Sequence, residues 1–302
     1  MVGRNVSEAL LAHGHTVLTP ARAQLDLADF AQTVHYLQTH KPDMVLHAAG
    51  RVGGIQANMA HPVEFLVENL DIARNTILAA RQAGIPRLLN LGSSCMYPAQ
   101  APSPLHEDLV LTGALEPTNE GYALAKIMGM RLCQYIARSQ SQFQYKTIIP
   151  CNLYGKYDKF NPAHSHLIPA ILHKLHWAKM QGQATVEIWG DGTARREFMF
   201  AGDAAQALVR AAEHFDTLPA VMNLGVGRDH SVNRYYQAAA QVVDWQGGFV
   251  HDVSRPVGMQ RKLVDVGRQA QWGWQPGFTL KQGLALTYAY YLTTEHATGP
   301  TP

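Results

Sequence analysis

Two kinds of apolar pattern alternate along the first half of the chain. Met44–Ala49, Arg87–Leu91 and Tyr145–Ile149 are short runs dense in apolar residues, and they read as strands buried on both faces. Thr16–Thr19 reads as a further short strand. Between them lie stretches with apolar residues at helical spacing: Val2–His13, Leu27–His40, Pro62–Ala83 and Glu120–Arg138. Pro62 suits a first helical turn and Gly84 a helix C-terminus. Apolar strands separated by helices predict an α/β fold with a doubly wound parallel sheet.

The second half is less regular. Gly155–Pro169 reads as a loop rich in Asn, His and Pro, followed by a helix over Pro169–Met180, a strand over Val186–Trp189 and a Gly-rich turn at Gly190–Gly192. Asp203–His214 reads as a helix, Val221–Leu224 as a strand, and Ser231–Val243 as a helix with Ser231 as its N-cap. Arg255–Asp265 reads as a basic loop running into a short strand, and the tail after Thr293 is expected to fray. The expected division is a Rossmann-type dinucleotide-binding domain over residues 1–153 and a smaller C-terminal substrate-binding lobe over 154–302, with residues near 195–230 returning to the first domain. The start departs from that pattern. Met1-Val2-Gly3 leads directly into an amphipathic helix, where a Rossmann fold has a strand and a Gly-rich turn first. Gly3 reads as the last glycine of a G-x-x-G-x-x-G turn, the chain as given starting downstream of the rest.

Composition narrows the classes. Of 302 residues, 47% are apolar and 16% charged, which is ordinary for a globular chain, and a formal net charge of +2 gives no bulk attraction to nucleic acid or a membrane surface. No apolar run is long enough to span a bilayer and no secretory signal opens the chain, so a cytoplasmic location is the expectation. The three cysteines, Cys95, Cys133 and Cys151, form no CxxC pair, and the histidines are not spaced as a metal-ligand set, so no metal is expected.

The chemistry gathers at Tyr122-x-x-x-Lys126, whose i, i+4 spacing puts both side chains on one helix face. An adjacent ammonium is expected to lower the pKa of the Tyr hydroxyl and make it a usable proton donor. Ser93 and Ser94 follow the strand Arg87–Leu91, at the end where parallel sheets place their ligand crevice. A Ser hydroxyl there can donate to a carbonyl undergoing reduction. Ser93, Tyr122 and Lys126 together suit hydride transfer at a sugar C4.

With these residues in place, the chain closely resembles the GDP-L-fucose synthase family of extended short-chain dehydrogenase/reductases. The resemblance is carried by Leu91-Gly-Ser-Ser-Cys-Met-Tyr-Pro98, Leu115-Glu-Pro-Thr-Asn-Glu-Gly-Tyr-Ala-Leu-Ala-Lys126, Pro150-Cys-Asn-Leu-Tyr-Gly155, Ser165-His-Leu-Ile-Pro-Ala170 and Arg51-Val-Gly-Gly-Ile-Gln-Ala-Asn58. It implies 3,5-epimerisation and NADPH-dependent 4-reduction of GDP-4-keto-6-deoxy-mannose, with Cys95 as the base and His166 as the acid of epimerisation, and a homodimer formed through Pro62–Ala83 and Glu120–Arg138. Relatives that act on a 3-deoxy sugar, of colitose type, share the same motifs, and a non-catalytic nucleotide-sugar-binding protein is the reading from another class. Two departures from the family pattern are Gly121, where relatives have Pro, and Lys174, where an Arg is expected.

For NADP(H), the expected contacts are Gly3, Arg22, Ala48, Ala49, Lys126, Pro150, Asn152 and His166. An Arg at position 22, with no acidic residue ending the preceding strand, favours a 2′-phosphate over a free 2′-OH. For the GDP-sugar they are Ser94, Asn152, Lys174, Trp189, Arg196 and Lys262, the cations as diphosphate ligands.

Overall fold

The computed structural model describes residues 1–161, 165–255 and 259–297. The expected fraying of the tail beyond 297, His164, and the parts of the two expected loops at 162–164 and 256–258 lie outside the described residues. In chain order the first half contains α1 (Val2–Ala12), α2 (Phe30–His40), β1 (Met44–His47), α3 (Ile55–Ala60), α4 (Pro62–Gln82), β2 (Arg87–Leu91), α5 (Glu120–Ser139), β3 (Gln144–Pro150) and β4 (Asn152–Tyr154). The second half contains α6 (Leu167–Met180), β5 (Thr185–Trp189), β6 (Arg195–Arg196), β7 (Phe198–Phe200), α7 (Ala201–Glu213), β8 (Val221–Leu224), β9 (His230–Ser231), α8 (Val232–Val243), β10 (Gly248–Asp252), β11 (Arg261–Lys262), α9 (Gly267–Gln271) and α10 (Leu280–Tyr291).

The main sheet is four-stranded and parallel, in the order β1-β2-β3-β8. Its strands send alternate side chains to opposite faces, and helices cover both. Leu88 and Tyr145 pack with Leu37 of α2, Ile77 of α4 and Ile136 of α5. Leu89, Leu91 and Ile148 pack with Val6 of α1, Leu208 of α7 and Trp272. Segments distant in sequence thus close the same layer: α7 lies on α1, and β8 joins the sheet beside β3. A separate apolar cluster holds the C-terminal half together, with Leu172 and Leu175 of α6, Ile188 of β5, Tyr235 and Ala239 of α8, and Leu284 of α10. Among the described residues, no helix is long and apolar enough to cross a membrane.

Several boundaries move for identifiable reasons. Thr16–Thr19 forms no strand. An extended segment becomes a strand only by pairing, and β1 pairs with β2 alone and is the sheet's edge, its Met44, Val45 and Leu46 only half buried. Helix α2 starts at Phe30 and not at Leu27, because the Asp29 carboxylate accepts the Gln32 N–H at 2.9 Å as an N-cap, while the Leu27 and Ala28 carbonyls accept from the Asn75 amide. Helix α6 begins at Leu167, which leaves Pro169 in a first turn that needs no N–H donor from it. Helix α7 begins at Ala201; Asp203, in its first turn, accepts the backbone N–H groups of Gly277 and Phe278. Strands β4, β7 and β10 have no counterpart in the sequence reading.

Ile77 has no exposed surface, whereas Leu11 is 58% exposed. Ile77→Ala is expected to cost about 2–5 kcal/mol of stability and Leu11→Ala no more than about 0.5 kcal/mol, measured as shifts in the urea midpoint at unchanged slope.

Candidate active site

The site is built on the C-terminal end of β2. The strand's last carbonyl, that of Leu91, accepts a 3.0 Å hydrogen bond from Lys126 Nζ of α5. Lys126 is buried, and burial pulls its ammonium down to a pKa of about 8. Gly92 follows, where a Cβ would meet Met96 Sδ at 2.8 Å and Ile149 at 3.3 Å, so the chain turns there with no room for a side chain. The turn carries Ser93 and Cys95 on the partly open side. Ser94, between them, is buried, 2% exposed. Ser93 Oγ accepts the Cys95 N–H at 3.3 Å, which fixes the turn as a cap.

Tyr122 lies one helical turn before Lys126, whose Nζ is 5.7 Å from the Tyr122 ring centroid. The lowered Tyr pKa expected from that spacing is absent. Burial pushes the Tyr122 hydroxyl above its ordinary value and the Cys95 sulfur adds to this; a hydrogen bond with Ser93 offsets part of it. The hydroxyl therefore keeps its proton at neutral pH. The short loop after β1 closes over Lys126. A Cβ on Gly50 would lie 3.8 Å from Lys126 Nζ and 2.7 Å from Asn69 Oδ1. Asn69 of α4 pins that loop by accepting the Arg51 N–H and donating to the Arg51 carbonyl. The sequence reading missed Asn69; an Asn inside an amphipathic helix, 18 residues from the loop it holds, carries no local signal.

The second half supplies the opposite wall. Strands β6 and β11 are parallel, with Lys262 paired to Arg196. Lys262 Nζ reaches Cys95 Sγ at 3.6 Å, and Asn119 Nδ2 reaches the same sulfur at 3.5 Å. Lys262, read as a diphosphate ligand, thus stands on the candidate base. The neighbouring cations differ: Arg195 and Arg261 both bind the buried Asp229 carboxylate. Arg196 is half-buried, its charge disfavoured by burial and favoured by Glu116. Between them, Glu197 accepts the N–H groups of Val226, Gly227 and Val264, tying β6 to the end of β8.

The remaining candidates are dispersed. His166 occupies the N-cap position of α6 in extended conformation, without a side-chain capping hydrogen bond, and burial lowers its pKa. Ala48 and Ala49 are half-buried beyond β1, and Pro150 ends β3. The Asn152 amide donates to the Glu197 carbonyl at 3.1 Å, and Lys174 Nζ to the Glu187 carbonyl at 2.8 Å. Trp189 is exposed beneath the Arg255 guanidinium, which lies 5.0 Å from its ring centroid. Gly3 is exposed in the first turn of α1, and Arg22 is exposed, 4.0 Å from Asp26. A cavity of about 240 Å³ opens beside Tyr122, lined by Asn58, Phe65 and Asn119 among others. Among the described residues, His106, Glu107 and Asp265 are close enough together to share a cation, but the Arg268 guanidinium already stands 3.6 Å from Glu107.

Residues 1–225 match the model of the NAD dependent epimerase/dehydratase family. The chain is 48% identical to a GDP-L-colitose synthase of Yersinia pseudotuberculosis, over 98% of this chain and 96% of that one. It is 47% identical to a GDP-L-fucose synthase of Azorhizobium caulinodans, over 97% and 94%. A solved GDP-mannoheptose C4 reductase from Campylobacter jejuni with NADP bound superposes with a TM-score of 0.88 at 29% identity, covering 97% of this chain and 95% of that one. The chain belongs to the NAD dependent epimerase/dehydratase family.

Proposed function

We propose that the chain is an NADP(H)-dependent GDP-L-fucose synthase, which epimerises C3 and C5 of GDP-4-keto-6-deoxy-D-mannose and reduces C4. The observation that carries this reading is the convergence of Ser93, Cys95 and Tyr122 at one strand end, with Lys126 anchored behind them. A plain reductase uses the hydroxyls and the ammonium; a thiol in the same turn adds a base. Relatives named for fucose and for colitose synthesis are almost equally similar, so a 3-deoxy ketosugar is the second substrate to test.

The residues present fit the cofactor. Small residues at 48–50 let the backbone run close to Lys126 and Asn69, and a helix N-terminus such as that of α1 suits a pyrophosphate. Gly3 and Arg22 are taken as its phosphate-side contacts, and Ala48, Ala49, Lys126, Pro150, Asn152 and His166 as those nearer the nicotinamide. When bound, NADPH supplies the hydride for C4. Ser93 and Tyr122 hydrogen-bond the C4 oxygen, first as the enolate left when C3 or C5 loses a proton, then as the alkoxide formed on reduction, which takes the Tyr122 proton. Cys95 removes the proton from carbon and His166 returns one. Arg196 takes the sugar diphosphate, with Trp189, Lys174, Asn152 and Lys262 as its further substrate contacts; Ser94, expected among them, is buried and stands outside this set. The role proposed for Cys95 requires a free thiol, which suits the reducing cytoplasm.

We also propose a homodimer. Val63 and Val67 of α4 and Leu124 and Tyr135 of α5 are large apolar side chains left exposed on two adjacent helices, a face suited to a second copy across a two-fold axis. Sedimentation is expected to give twice the 33.3 kDa chain mass, and Val67→Asp to give monomer; a wild-type monomer at micromolar concentration overturns the assignment.

The test of function is NADPH oxidation with GDP-4-keto-6-deoxy-mannose and identification of the product. GDP-L-fucose is expected, and Tyr122→Phe is expected to lower its formation by about 10²–10⁴-fold. Turnover confined to the 3-deoxy ketosugar would replace fucose by colitose. Because Lys126 is charged below about pH 8 and neutral above it, the reduction rate is expected to fall above that pH, and Lys126→Arg to remove the fall. A flat alkaline limb in the wild type would count against the ammonium's part in the step.

A further inference from the structure

Cys95 has an environment of its own, apart from the Ser–Tyr–Lys set. Two donors converge on its sulfur from different parts of the chain: Lys262 Nζ at 3.6 Å, from β11, and Asn119 Nδ2 at 3.5 Å, from the turn before α5. Asn119 is oriented for this contact, and its Oδ1 is buried with no hydrogen-bond partner. Other groups around the sulfur come from each element packed against it. The preceding turn brings Ser93, whose Oγ accepts the Cys95 N–H; α5 brings Tyr122, with Lys126 one turn further on; and β6, behind Lys262, brings Arg196 with Glu116 near it. Tyr122 keeps its proton at neutral pH. The cation in contact with the sulfur is therefore Lys262, not Lys126, whose Nζ is bonded to the Leu91 carbonyl.

We propose that Lys262 is a positioning residue for epimerisation: together with Asn119 it holds the Cys95 sulfur as the thiolate that accepts the substrate proton. This rests on the proposed reading only for the use to which the thiolate is put. In the step itself, the thiolate takes a proton from the carbon next to the C4 ketone. The C–H bonding pair moves into the ring C–C bond, the C4 oxygen becomes an enolate, the sulfur becomes a neutral thiol, and Lys262 keeps all its protons. An ammonium has three protons, so Lys262 can serve the sulfur and a substrate oxygen together. That is why a lysine suits this position: a planar guanidinium is built for bidentate oxygen contacts, whereas an ammonium acts as a compact charge.

The test does not require the sugar. Cys95 is partly open, while Cys133 and Cys151 are buried, so iodoacetamide labels Cys95 selectively and slow labelling of the other two reports an intact fold. Labelling rates are measured by peptide mass between pH 6 and 9. Lys262→Met is expected to slow Cys95 labelling about tenfold at pH 7, because only the thiolate reacts, with the deficit closing toward pH 9. Lys262→Arg is expected to restore most of the rate, and Asn119→Ala to slow it by a smaller factor with the same pH trend. Superimposable pH curves for wild type and Lys262→Met, both folded, overturn the proposal. In parallel, deuterium wash-in at C3 and C5 of GDP-4-keto-6-deoxy-mannose in D2O is expected to slow about as much as labelling does. A wild type that labels as described yet exchanges no deuterium leaves the thiolate in place and removes the epimerase reading instead.

Discussion

The C-terminal end of the sheet's second strand depends on one hydrogen bond, from the Lys126 ammonium to the carbonyl that ends β2. That carbonyl has no further strand residue to accept, and a buried polar group without a partner is costly. The lysine satisfies it, and in doing so docks α5 against the strand end at a set height. Tyr122, one turn earlier on the helix, and Ser93, two residues beyond the carbonyl, are thereby brought together. The loop after β1 adjusts to the same ammonium, with Gly50 leaving room and Asn69 clamping the backbone. The same burial that makes the ammonium structural also lowers its pKa to about 8.

The other wall is put together differently. Strands β6 and β11 are two residues each, too short to hold a register through ladder bonds alone. Two carboxylates do much of the holding. Glu197 collects three backbone N–H groups from β8's end and from the chain after β11, and Asp229 binds the guanidiniums on either side, Arg195 and Arg261. The alternation along each strand then leaves Arg196 and Lys262 on the face away from Asp229, and Lys262 reaches Cys95.

Much of the first wall could be read from the sequence, because its signals are local. Helices α4 and α5 carry apolar periodicity, the Tyr122–Lys126 pair falls at i, i+4, and the serines follow a short strand dense in apolar residues. The second wall could not. Lys262 and Cys95 are 167 positions apart and meet through the pairing of two-residue strands and a single bridge between Leu105 and Val264, neither of which has a periodicity to detect. Asn119 and Asn69 act through backbone and sulfur contacts that an isolated Asn does not announce. Position 94 shows a different limit: Ser93 and Ser94 are indistinguishable as residues, and the turn geometry buries one while leaving the other half-open. At Thr16–Thr19 composition favoured a strand, and the missing factor was a partner, which no local pattern supplies.

The pairing of Arg196 with Lys262 sets two like charges opposite each other on adjacent strands, an arrangement that works against the very ladder it sits in. A dianionic ligand reverses the sign of that contribution. Salt that screens the two charges, or an anion seated between them, therefore firms this pair of strands, where it would loosen a ladder held by ion pairs.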